Sequence, residues 1–324
     1  FIFCHKISLF QPAAVFIYAG KIGCRALFNV LLCIDSVVLL IIVLLKNSCG
    51  EGPGVSMHHV EINGFRMAYR DEGSGPVVLL AHAFPLAALM WNPQIEVLRY
   101  NYRVLAPDLR GFGQSKGAPL DRYATVEEYA DDLAAFLQKL GLDREKVVFI
   151  GLSMGGYIAF AFYRKYAQLV RALVLCDTRS EPDTEQARQN RFKLIEDLRE
   201  RGMEAAVEAN LPKLLSAENY VQREDLVADL SRTIYLNDPA GTIAATGALA
   251  HRPDSTPLLA EIAVPTLVIH GKDDQLIPVE SARQMAQAIP DWQLSVVPRA
   301  GHLSNLENPV FFNQALETFL KELK

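Results

Sequence analysis

Between residues 57 and 324 short apolar runs recur with helix-length stretches between them, and this alternation limits the fold more than any other feature of the chain. Strand-like runs lie at 59–62 and 66–70, then at 77–81, 102–106, 146–150, 172–176, 266–270 and 293–297. The last six are unbroken apolar segments of the kind that buried strands of a parallel sheet require. Helical patterns at 90–99, 126–140, 154–166, 282–288 and 309–323 separate them, with Asp, Asn, Gly or Pro at the joins. The alternation predicts an α/β fold, with a mostly parallel eight-stranded sheet flanked by helices on both faces. Asn63-Gly64 between the first two runs predicts a hairpin that adds an antiparallel edge.

One block breaks the alternation. From 179 to about 257 only helical stretches occur, separated at Gly202, Pro212 and Asn237-Asp238-Pro239. The expected organisation is a core of 57–178 and 256–324 with a helical cap, 179–255, inserted after the sixth strand. Ligands of open α/β sheets bind beyond the carboxyl ends of the strands, so a cap there would roof the site.

Residues 1–56 read differently. The stretch 26–45 has the length of a membrane-spanning helix, lies between Arg25 and Lys46, and is interrupted by Asn29, Asp35 and Ser36. The chain begins with Phe1, its first methionine is Met57, and an aspartate in mid-span is expensive in lipid. Two expectations follow: a non-native apolar leader, with a cytoplasmic protein starting at Met57, or a membrane anchor through 26–45.

Composition narrows the partners. With 32 Lys+Arg against 37 Asp+Glu, a net charge of −5 and no long run of one sign, a nucleic-acid partner is not expected. Half the residues are hydrophobic and 21% are charged, which excludes a disordered chain. Cys4, Cys24, Cys33 and Cys49 lie in the first 56 residues; Cys176 stands alone afterwards, so the core has no disulfide framework and fits a reducing compartment. Cys176 itself reads as a small core hydrophobe.

Directly after the run 146–150 comes Gly151-Leu152-Ser153-Met154-Gly155-Gly156, followed by helical sequence. Gly-x-Ser-x-Gly between a strand and a helix is the spacing of a nucleophile on a sharp turn, where only glycine fits beside the crowded backbone. A serine hydroxyl needs a base and a group that orients it. The loop after 293–297 supplies His302 as base, and the loop after 266–270 supplies two adjacent carboxylates. Asp274 is favoured as the acid from its place in the loop, with Asp273 read as a turn residue. The backbone N–H groups of Met154 and Phe84 are the expected oxyanion donors. Trp91, together with Phe84 and Met154, is a candidate for the substrate pocket, with core packing as the plainer reading. Gly111-Phe112-Gly113 reads as a structural turn rather than a dinucleotide site, and the His58-His59 pair lacks the partners a metal would need.

Four stretches carry a resemblance: His82-Ala83-Phe84-Pro85, the run 107–115 (PDLRGFGQS), Gly151-Leu152-Ser153-Met154-Gly155-Gly156 and Ala300-Gly301-His302-Leu303. From Met57 onward the chain resembles α/β-hydrolases of the 3-oxoadipate enol-lactonase, arylesterase and carboxylesterase group. The resemblance implies a serine hydrolase of small carboxylic esters or lactones, using Ser153, Asp274 and His302 and needing no cofactor and no metal. Ala83 departs from the glycine usual in relatives, which would strain the loop if a positive φ were required there. Carbon–carbon bond hydrolysis and peracid formation use the same three residues in relatives, and a ligand-sensing receptor on this scaffold is the alternative from another class.

Overall fold

The computed structural model describes residues 57–117 and 124–323 in full, and of residues 1–56 only the backbone of four strands. The chain divides into two compact units, Phe1–Ser56 and Met57–Lys324. In the first, strands Cys4–Ile7, Ala14–Ile22, Arg25–Ile34 and Val37–Leu45 pair in sequence order, each antiparallel to the next. The helix expected to span a membrane over 26–45 is therefore not formed. Asp35 and Ser36, which lie outside the described residues, divide the apolar run into pieces of 10 and 9 residues, a length that suits strands and not a spanning helix. Among the described residues no helix is long and apolar enough to cross a membrane.

The second unit carries the predicted sheet. Its strands are β1 (His58–Ile62), β2 (Phe65–Glu72), β3 (Val77–Ala81), β4 (Arg103–Pro107), β5 (Val147–Leu152), β6 (Val170–Cys176), β7 (Thr266–Gly271) and β8 (Trp292–Val297). They lie in the order β8-β7-β6-β5-β3-β4-β2-β1. All neighbours from β8 to β4 are parallel, while β2 runs antiparallel to both β4 and β1. Asn63 and Gly64 both take positive φ, 42° and 82°, as the two central residues of a tight hairpin turn require. The chain runs from β3 to β4 on one side and then to β5 on the other, and this reversal opens a crevice at the carboxyl ends of β3 and β5.

Strands β3, β5 and β7 are buried along their whole length, which explains their unbroken apolar sequence. The run 293–297, expected to be buried in the same way, is only partly so: β8 is the last strand of the sheet, and Trp292 on it is 41% exposed.

Helix α1 (Asn92–Leu98) follows a short 3-10 turn at Ala88–Trp91, so the helix expected over 90–99 begins as a tighter turn ahead of Pro93. Thr125 caps α2 (Val126–Lys139) and Glu128 returns the bond to the Thr125 N–H. Ser153 stands at the start of α3 (Met154–Tyr166). Between β6 and β7 come α4 (Glu185–Arg201), α5 (Met203–Leu214), α6 (Ala217–Gln222), α7 (Glu224–Tyr235) and α8 (Pro239–Ala250), all within the expected 179–255 insert. Gly202 ends α4 and Asp238 caps α8, as their sequence positions suggest. Pro212 does not separate helices: it lies inside α5, close enough to its end to interrupt little of the hydrogen bonding. α4 packs on α8 and α5, and α5 packs on α7. The remaining helices are α9 (Val279–Gln287), α10 (Ser304–Glu307) and α11 (Pro309–Glu322).

Candidate active site

Ser153 sits in a backbone conformation that few residues adopt, φ 55° and ψ −111°, at the turn from β5 into α3. Holding a non-glycine residue there costs about 1–3 kcal/mol, so the surroundings must fix it. The Ser153 N–H donates to the Cys176 carbonyl at 2.8 Å and its carbonyl accepts from the Thr178 hydroxyl at 2.9 Å. The turn is tight enough that a Cβ on Gly155 would lie 2.1 Å from the Ala81 carbonyl oxygen, and one on Gly151 2.2 Å from that of Gly155. The glycines beside the serine are thus required by close approach of backbone to backbone.

His302, carried by the loop after β8, brings Nε2 to 2.8 Å from Ser153 Oγ. Its Nδ1 lies 2.7 Å from Asp274 Oδ2, in the loop after β7. An ionised carboxylate can only accept, so Nδ1 carries the proton and donates, leaving Nε2 free to accept from the serine hydroxyl. Asp274 Oδ1 accepts from the N–H groups of Leu276 at 2.7 Å and Ile277 at 3.1 Å. Burial works against both charges; the pairing outweighs it, raising the His302 pKa and lowering that of Asp274. Asp273 is exposed and contributes a backbone N–H to the Ala300 carbonyl, as a turn residue does.

Of the two expected oxyanion donors, Met154 opens α3, where a backbone N–H has no acceptor one turn earlier, and Phe84 lines the cavity above Ser153. The Phe84 loop is held by the buried ring of His82, whose Nδ1 lies 2.9 Å from the Ala83 carbonyl while Nε2 accepts the Leu109 N–H at 3.0 Å. Burial drives the His82 pKa down to about 4, so the ring is neutral in the tautomer these bonds demand. Ala83 is not among the described residues with positive φ, and the strain considered for it does not arise. Trp91 takes no part in the cavity wall: the 3-10 turn carries it into the core, where its ring packs 6.5 Å from that of Phe312.

A cavity of about 200 Å³ adjoins Ser153 and His302. The core supplies Phe84, Tyr157, Leu276 and Ile277 to its wall, and the helical block supplies Asp183, Arg191, Asn210, Leu214 and Leu249. Sequence reading did not single out Arg179, Asp183 or Arg191, although Arg179 follows β6 within the zone of strand-end loops where site residues collect. Two polar residues tie the block to the core. Asn237 donates to the Pro85 carbonyl at 2.7 Å and accepts the Gly113 N–H at 2.8 Å. Glu307 accepts from the Gly301 N–H at 2.7 Å and from the Ser216 N–H at 2.8 Å.

Asp177, His270 and Asp274 form the cluster of metal-ligand types found among the described residues, with ligand atoms within 4.8 Å of one another. Asp274 is engaged by His302, Asp177 by the Gly271 N–H and the Ser304 hydroxyl, and His270 Nε2 by the Ile277 carbonyl, while His270 Nδ1 is buried without a hydrogen-bond partner.

Residues 76–309 match the family model of the α/β-hydrolase fold. A thermophilic esterase from Thermogutta terrifontis, solved with malate bound, is 40% identical with a TM-score of 0.78 over 83% of this chain and 99% of its own. An enol-lactonase from Burkholderia xenovorans is 27% identical with a TM-score of 0.75, over 82% of this chain and all of its own. A protein named as a carbamate hydrolase, from Serratia proteamaculans, is 28% identical across 78% of this chain and 93% of its own length.

Proposed function

The chain belongs to the α/β-hydrolase fold family, as a hydrolase of the esterase, lactonase and carbamate hydrolase type, and from that premise we propose that it cleaves small carboxylic esters or lactones through an acyl-enzyme on Ser153. The observation that carries the reading is the hydrogen-bonded chain Ser153–His302–Asp274, with contacts of 2.8 and 2.7 Å. His302 Nε2 takes the hydroxyl proton as Ser153 Oγ bonds to the substrate carbonyl carbon. The carbonyl electron pair moves onto oxygen, where the Met154 and Phe84 N–H groups meet it. As the carbon–oxygen bond to the alcohol breaks, His302 returns the proton to the leaving oxygen. Water, deprotonated by the same nitrogen, then releases the acid. Asp274 fixes the tautomer and stabilises the imidazolium in both halves. The helical block acts as a cap that bounds the substrate cavity. The malate in the Thermogutta esterase is a small carboxylic acid, of the product class this reaction yields.

Ser153→Ala tests the reading. It should abolish labelling by a fluorophosphonate and lower the turnover of an aryl ester by about four to six orders of magnitude. Labelling that persists on another serine would overturn the assignment.

A further inference from the structure

Three guanidinium groups converge on one carboxylate in the cavity wall. Asp183, whose side chain is fully buried, lies 2.7 Å from Arg252 Nη1 and 3.0 Å from Arg179 Nη2, and its other oxygen pairs with Arg191 Nε. Burial pushes the Asp183 carboxyl up, but Arg191 and Arg252 outweigh it and hold it ionised. A single negative charge is shared by three positive ones.

The three arginines are not equivalent. Arg252 is committed to the fold: 2% exposed, it lies 4.2 Å over the Tyr157 ring and donates to the carbonyls of Leu249 and Glu181. Arg179 and Arg191 are about a fifth exposed, at 22% and 23%, and line the same cavity as Ser153 and His302. Arg191 meets Asp183 through Nε, at the base of its fork, and Arg179 Nε, like that of Arg252, is buried with no hydrogen-bond partner. Glu181, two residues before Asp183, lends Arg252 its backbone carbonyl; its Oε2 is buried with no hydrogen-bond partner, and its side chain is neither paired with the three arginines nor part of the cavity wall. Fixing Asp183 in place does not need three cations, and cations withdrawn from water without counter-charge are costly. An anionic group in the cavity would supply the missing charge, and planar guanidinium forks match a planar carboxylate.

We infer that the substrates of this hydrolase carry a carboxylate besides the reacting carbonyl, and that Arg179 and Arg191 hold it while Ser153 attacks. The inference rests on the ester and lactone reading above and adds to it the class of substrate. Arg179 and Arg191 are specificity residues in this scheme, since neither touches the reacting atoms.

The test uses the full chain and two matched pairs of esters: mono-p-nitrophenyl glutarate against its methyl ester, with the carboxylate on the acyl side, and para-acetoxybenzoate against its methyl ester, with the carboxylate on the alcohol side. In at least one pair the carboxylate form should have kcat/KM about 10- to 100-fold higher, the value of hydrogen bonds to a charged group. Arg191→Gln should collapse that ratio toward one, Arg191→Lys should keep part of it, and Arg199→Gln, on the exposed side of α4, should leave it at the wild-type value. If Arg191→Gln fails to fold, the wild-type ratio should still fall as salt is raised. Ratios of one or less in both pairs, or a preference that Arg191→Lys and salt both leave intact, would overturn the inference while the hydrolase reading stands. Absence of turnover with all four esters would overturn both.

Discussion

The floor and the roof of the cavity are built by different means. The floor is backbone: strand ends, a strained serine and glycines packed so closely that a methyl group would strike a carbonyl oxygen at 2.1 Å. The roof is side chains: arginines sharing Asp183, and an asparagine and a glutamate that bind it to the loops beneath. Backbone geometry tolerates almost no variation and leaves a short local signature. A side-chain network can be rewired one residue at a time, so it is where a family sharing one chemistry can change its substrates.

The largest expected effect lies in the floor. Asp274→Asn keeps the shape but offers an amide donor where His302 needs an acceptor, and kcat near neutral pH should drop by about 10⁴ with little change in melting temperature. Stopped kinetics with an unchanged thermal midpoint checks it, and a loss of that size in Asp273→Asn instead would reverse the roles of the two carboxylates. In the roof, Asp183→Asn leaves three guanidinium groups without their anion and should cost about 3–5 kcal/mol of stability, read by denaturant unfolding. If that variant is as stable as the wild type, the network is not what holds the roof.

Smaller effects sharpen the contrast. The His302 pKa is raised because Asp274 outweighs burial, and the base works only when neutral. The kcat/KM value should therefore fall as pH drops through an inflection above 6.5, and Asp274→Asn should move the residual activity's inflection downward. A pH profile flat from 6.5 upward would contradict the pairing. Asn237→Ala leaves the Pro85 carbonyl and the Gly113 N–H without their partner and should lower stability by about 1–3 kcal/mol. Asp273→Asn should change stability by less than about 1 kcal/mol and kcat by no more than a few-fold.

Legibility in the sequence followed the same division. The eight strands of the core and the loops bearing Ser153, His302 and Asp274 could be read because each lies within a few residues of an apolar run. The loop 107–115 carried a resemblance without a stated purpose; its Asp108 accepts the N–H groups of Ala88 and Gln114 and so ties the segment after β3 to the segment after β4. Trp91 takes the plainer of its two readings, core packing; both stood open because no local pattern reveals whether an aromatic residue on a short turn faces a cavity or the core. Asp183 just before α4, Arg191 within it and Arg252 just after α8 lie up to 69 positions apart, and nothing in the periodicity of the intervening helices announces that they meet. Pro212 shows a related limit: a helix breaker costs little when the helix is about to end.

Gly241, in the first turn of α8, approaches Gly111 so closely that a Cβ on it would lie 2.4 Å from the Gly111 Cα. Asn237 stands just before this point, and the Glu307 contacts fasten the same block at Ser216. Each of these contacts would have to break for the block to swing as a unit. While they hold, molecular traffic passes by local rearrangement of side chains, and the expected outcome is a turnover that depends only weakly on solvent viscosity, with selection between substrates falling to the width and charge of a doorway rather than to the timing of a closing lid.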